Sequence, residues 1–124
     1  MDNQGIRYLL LSALMDTEAY EAVRKLVNEY DEATANMRYN RAYVEYKLNG
    51  WTRKTEKYLK EAVQLNPHVP EYLLGKRIIP RESPAFLGIG DENEAIDYVQ
   101  TYVELWHMER ALVQKLEALV KGRS

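Results

Sequence analysis

The sequence contains no cysteine, which excludes disulfides and thiolate chemistry within the chain. Histidine is scarce, with two in 124 residues. No serine and histidine fall into an arrangement that suggests a nucleophile and its base. Long apolar runs are missing as well. The run from Tyr8 to Met15 is far short of the roughly 20 residues a membrane-crossing helix requires. It also lacks the basic start and small-residue cleavage pattern of a signal peptide. Neither sign of charge dominates, since 17 Lys and Arg against 19 Asp and Glu leave a formal net charge of -2. With no nucleic-acid motif beside it, that balance argues against a nucleic-acid partner. The expectations are therefore no membrane, no nucleic acid and, by default, a cytoplasmic location.

What the chain has instead is tyrosine, ten in all, within a hydrophobic content of 46%. At this length one core is feasible, burying roughly two-thirds of the unfolded surface. Tyr39, Ala42, Tyr43 and Tyr46 follow i, i+3, i+4, i+7 spacing, which places them on one face of a helix. Asn49-Gly50 stops that helix, because both residues tolerate left-handed geometry. Thr55, Tyr58, Leu59, Ala62 and Leu65 form the inner stripe of a second helix, ended at Asn66-Pro67 by the restriction on a residue preceding proline. The spacing predicts an antiparallel hairpin over residues 36–67.

A degenerate hairpin is predicted over residues 6–33. Tyr8, Leu9, Leu11, Leu14 and Met15 build its first helix, and Asp16-Thr17 is a polar break with capping potential. Ala19, Ala22, Val23, Leu26, Val27 and Tyr30 face inward on the second. Further on, Pro70 to Gly75 reads as one helical turn closed by glycine. Pro80, Pro84, Gly88 and Gly90 exclude a helix over residues 75–90. Ile78, Ile79, Phe86, Leu87 and Ile89 are apolar enough to pin that loop against the core. Asp91 and Glu94 form a capping box, followed by a stripe of Ala95, Ile96, Tyr98, Val99, Tyr102, Val103 and Trp106. A last helix from Glu109 to Val120, with Leu112, Leu116 and Leu119 inward, completes a helix pair over residues 91–121.

The hairpin at 36–67 resembles the tetratricopeptide repeat, a unit of roughly 34 residues. Tyr39 stands at its usual Trp position, Ala42 at the Leu, Tyr46 at the Tyr, Gly50 at the turn, Leu59 at the aromatic of the second helix, Ala62 at its small residue and Pro67 at the terminal proline. Tyr43 and Thr55 depart from the pattern, and Tyr43 should hold its helices further apart. Asn66 to Gly75, the Pro-rich loop, and Gly90 to Ala95 with Tyr98 and Trp106 are similar to the C-terminal part of bacterial tetratricopeptide proteins related to the suppressor-of-tumorigenicity family, as are Asp2 to Leu10. The resemblance implies an all-α fold: a right-handed α-solenoid fragment of helical hairpins, an ordered Pro/Gly loop and a C-terminal capping helix pair. It implies an interaction scaffold with no catalytic residue to carry over. About three repeats are normally needed for stability, and Asp2-Asn3 looks like the polar tail after a repeat's proline. A fragment of a longer repeat protein is expected on that ground.

Charge is unevenly spread. Arg38, Arg41, Arg53, Lys54, Lys57, Lys60, Lys76, Arg77 and Arg81 make a positive band between acidic flanks. A solvated face beside acidic neighbours explains it, and an acidic protein partner is the functional alternative. Glu104-x-x-His107 has the spacing of half a helical di-iron site, but one copy is insufficient, and His107 serves better as a helix-end cation. Gly88-x-Gly90-Asp91 could cradle an anion, yet Asp91 opposes one and suits a cap. No cofactor, metal or catalytic residue is expected.

In a tetratricopeptide array the first helix of each hairpin lines the concave face. On that register Met37, Asn40, Val44 and Lys47 point toward a ligand: an adaptable apolar chain, an amide, a small apolar surface and a cation. The expected partner is a protein or peptide bearing an acidic group, or a neighbouring copy of this chain. Tyr20 and Tyr72 are further interface candidates. The rival readings are a structural cap for a longer repeat array and a small-molecule or catalytic site under the 75–90 loop.

Overall fold

The computed structural model describes residues 4–123, and Asp2-Asn3 lie outside them. Its order is α1 (Gln4–Asp16), α2 (Tyr20–Glu29), α3 (Ala35–Asn49), α4 (Arg53–Leu65), α5 (Val69–Leu73), α6 (Glu92–His107) and α7 (Arg110–Arg123), with no strand among the described residues. The fold is all-α.

The first break differs in chemistry from the expectation. Thr17 does not cap α2. Its hydroxyl donates back to the Ala13 carbonyl at 3.0 Å and closes α1, while Glu18 turns the chain at φ 59°. Ala19 stands at the start of α2 without a side-chain cap. Val23, Leu26 and Val27 face inward, whereas Ala22 and Tyr30, expected to join them, are exposed.

Helices α3 and α4 are antiparallel, because contacts pair the end of one with the start of the other. Tyr39 donates its hydroxyl to the Asn66 carbonyl at 2.7 Å, Arg41 meets Glu61 at 2.7 Å, and Thr55 Oγ1 donates to the Gly50 carbonyl at 2.7 Å. Both helices open on threonine caps, Thr34 and Thr52. Gly50, at φ 77°, supplies the left-handed residue that ends α3.

Helix α3 is the centre of the molecule, flanked by α2, α4 and α6. Tyr43 sits between two of these neighbours, its ring centroid 6.4 Å from Tyr20 and 5.5 Å from Trp106. Tyr39, Tyr98, Tyr102 and Trp106 are fully or almost fully buried around it. Their rings meet tilted or edge-on, a geometry that adds to the burial energy of each aromatic. Trp51, in the turn after α3, lies 5.4 Å beneath the Lys115 ammonium of α7. Leu112 and Leu116 seal the core from α7, with Leu119 half-buried.

The 75–90 segment is held differently from the expectation. Ile78 is 93% exposed, Phe86 82%, Ile89 70% and Leu87 57%, so of the five apolar residues Ile79 alone packs on the core. Polar groups do the tethering. The Gln100 amide donates to the carbonyls of Pro80 and Glu82 at 2.8 and 2.9 Å, and Arg77 pairs with Glu71 and Glu92.

Candidate partner-binding groove

The residues expected to line an open groove are largely interior. Met37 and Val44 are buried among the core, and Asn40 has no exposure. Asn40 Oδ1 accepts from the Tyr98 hydroxyl at 2.7 Å, and the same Tyr98 oxygen accepts from Trp106 Nε1 at 2.9 Å. Lys47 is half-buried and bonded to Glu109 at 2.8 Å, a contact that raises its pKa. The physical reason is that α3 is packed on several sides: Tyr98 of α6 lies on Asn40, while Val44 lies beside Val27 of α2 and Tyr58 of α4. Tyr72, an interface candidate, is also buried, with its hydroxyl on Glu92 at 2.7 Å. Tyr20 is half-buried against Tyr43.

The structure opens a different groove, between α1, the first turn of α3, α6 and the end of the Pro/Gly loop. One cavity of about 390 Å³ is lined by Gly5, Tyr8, Thr34, Asn36, Leu87, Gly88, Ile89, Glu94 and Asp97. A second, of about 220 Å³, shares Gly5, Tyr8, Asn36 and Asp97 and extends along Leu9, Ser12, Thr101 and Tyr102. Tyr8 ties α1 to the start of α3 through a 3.0 Å bond to Thr34. The loop rim is shaped by Gly90, whose φ is 83° and where a Cβ would meet the Leu65 carbonyl at 2.9 Å.

Two carboxylates border the groove, and their roles differ. Glu94 is buried and fully committed: Oε2 accepts from the Ala35 backbone N–H at 2.9 Å, while Oε1 accepts from the Gly90 N–H at 2.8 Å and Asn66 Nδ2 at 2.9 Å. It thereby caps α3 from another helix and joins α4, the loop and α6. Asp91 takes only half of the expected box, accepting from the Glu94 N–H at 2.8 Å while Glu94 reaches Gly90 instead. Asp97, one turn on, is half-buried, and desolvation followed by the nearby Glu94 charge raises its pKa. Among the described residues no lysine or arginine is placed to relieve it.

Other polar candidates resolve simply. His107 ends α6 with Nε2 at 3.0 Å from the Leu73 carbonyl, and Glu104 is exposed. Among the described residues no group of three His, Cys, Asp or Glu side chains could hold a metal ion. Arg38 and Arg41 of the positive band meet Asp31, and Lys60 faces Glu56. No helix is long and apolar enough to cross a membrane among the described residues.

No protein-family model, curated protein or solved structure matches this chain. The groove itself was not readable from spacing, because its walls come from three separate stretches. The signal that could have found it is the Glu94/Asp97 pair, two acids on one face of a helix of which only the first was needed as a cap.

Proposed function

We propose that this chain is a non-catalytic protein-binding module of tetratricopeptide type, and that its groove between α1, α3 and α6 receives an extended peptide segment. The repeat reading is supported by Tyr39, Ala42, Leu59 and Ala62, all without exposure at the hairpin's close contacts, and by Gly50 at its turn. The observation that carries the functional reading is the groove's composition. Leu87 and Ile89 stand largely open to solvent beside Asp97, a half-buried carboxylate with no lysine or arginine against it among the described residues. Such a surface favours a segment with apolar residues flanking a lysine or arginine. This replaces the acidic segment suggested by Lys47, whose charge Glu109 already answers.

The test is a selection from a displayed random-peptide library, followed by titration of the enriched peptides. Enrichment of basic residues between apolar ones, with binding weakened at least about tenfold by Asp97→Lys in a chain that melts normally, supports the proposal. Enrichment of acidic peptides, or affinity indifferent to Asp97→Lys, contradicts it.

A second reading, a structural cap for a longer repeat array, is favoured by one observation: Tyr98 of α6 covers Asn40, in the middle of the face of α3 expected to meet a ligand.

A further inference from the structure

Asp97 is a carboxylate set among neutral oxygens. The smaller cavity of the groove is lined by Ser12 of α1, Asn36 in the first turn of α3, and Asp97, Thr101 and Tyr102 of α6. Each of these side chains carries an oxygen that can accept a hydrogen bond. The Thr101 hydroxyl donates to the Asp97 main-chain carbonyl at 3.4 Å, so its own oxygen is left as an acceptor. Asn36 is half-buried, and among the described residues its amide has no hydrogen-bond partner. Among the same residues, no lysine or arginine lines this cavity or its larger neighbour.

The cavity is also electronegative. Burial raises the Tyr102 pKa, and the charges of Asp16, at the end of α1, and of Asp97 raise it further, so two carboxylates act on one hydroxyl. The positive end of α3 does not offset them, because Glu94 already accepts from the Ala35 N–H there. The mouth is apolar and open. Leu9, 74% exposed, stands on its rim, and a Cβ added at Gly5 would meet nothing within 4 Å. A methylene stem can lie along such a wall while its charged head reaches the oxygens.

We infer, building on the peptide reading of this groove, that the smaller cavity is a pocket for a primary ammonium, the Nζ of a lysine in the bound segment. An ammonium directs three donors outward from one nitrogen, and acceptors drawn from α1, α3 and α6 surround such a centre. A guanidinium instead needs its acceptors in one plane, best supplied by a carboxylate met edge to edge. Asp97 is the single carboxylate lining this cavity among the described residues, and it is half-buried. Lysine is therefore selected over arginine.

Small probes test the pocket separately from the peptide. n-Butylammonium and n-butylguanidinium chloride are titrated into the labelled chain and followed by amide chemical shifts. n-Butylammonium should saturate shifts at Asn36, Asp97 and Thr101 at a concentration at least about threefold below that of n-butylguanidinium. Asp97→Asn, which keeps the side chain's shape, should abolish those shifts. An equal or reversed preference, shifts only elsewhere, or shifts that persist in folded Asp97→Asn overturn the inference. Peptides supply the second arm. A library-enriched peptide carrying lysine should bind at least about tenfold tighter than the same peptide with arginine or Nε-acetyl-lysine in its place. Equal affinity for either replacement overturns the ammonium pocket and leaves the peptide groove standing. Binding of n-butylammonium at these residues by a chain that enriches no peptide supports the pocket and overturns the peptide reading instead.

Discussion

Tyr98 donates its hydroxyl to Asn40 at 2.7 Å across the interior between α6 and α3. That bond, with Trp106 donating to the same tyrosine oxygen, converts the middle of α3 from a ligand-facing surface into core. Asn40→Ala removes the acceptor and strands a buried hydroxyl, so it should cost about 1–3 kcal/mol in urea denaturation. Peptide affinity of the folded fraction should stay unchanged. An unaltered midpoint would show that the bond contributes nothing.

Glu94 joins more of the chain than any other side chain near the groove. Glu94→Ala leaves the Ala35 and Gly90 N–H groups and the Asn66 amide without their carboxylate. A loss of at least about 2 kcal/mol is expected from these unsatisfied donors, measured by chemical denaturation. Amide exchange should accelerate at Ala35 and Gly90 first.

Gly75 and Gly90 both have positive φ, but only Gly90 lacks room for a Cβ. Gly75→Ala should cost about 1–2 kcal/mol from left-handed strain alone, and Gly90→Ala distinctly more, since the Leu65 carbonyl must also move. Equal thermal shifts for the two variants would refute the close approach.

Burial raises the phenol pKa values of Tyr43, Tyr98 and Tyr102. The folded state therefore holds protons that the unfolded chain releases. Stability is intact below the unfolded phenol pKa of about 10 and falls as pH rises above it. Asp97, also raised, acts at acid pH: its burial penalty is present above its folded pKa and relieved as pH drops through it. Asp97→Asn should therefore stabilise the chain at neutral pH, with the gain shrinking toward acid. A pH series of thermal melts checks both, and alkaline stability flat past pH ~10 would contradict the tyrosine account.

Much of the helical layout was legible in the sequence, because its signals are local. Asn49-Gly50 ended α3, Asn66-Pro67 ended α4, and Asp91 opened α6, each through backbone preference or capping that needs no tertiary information. The errors arose where distance in sequence matters. Exposure of Ile78 and Phe86, burial of Asn40, and the linking role of Glu94 all depend on where α6 lies relative to α3, and no period in either helix specifies that placement. The groove inherits this: Tyr8, Asn36 and Asp97 meet only once three hairpin-scale units have packed.

The most direct test of the binding account is an amide chemical-shift map of the labelled chain titrated with a basic, apolar-flanked peptide from the library selection. The account predicts shifts concentrated at Gly5, Tyr8, Asn36, Leu87, Asp97 and Thr101, abolished by Asp97→Lys. Shifts confined to the α4–α7 face, or none at saturating peptide, would contradict it.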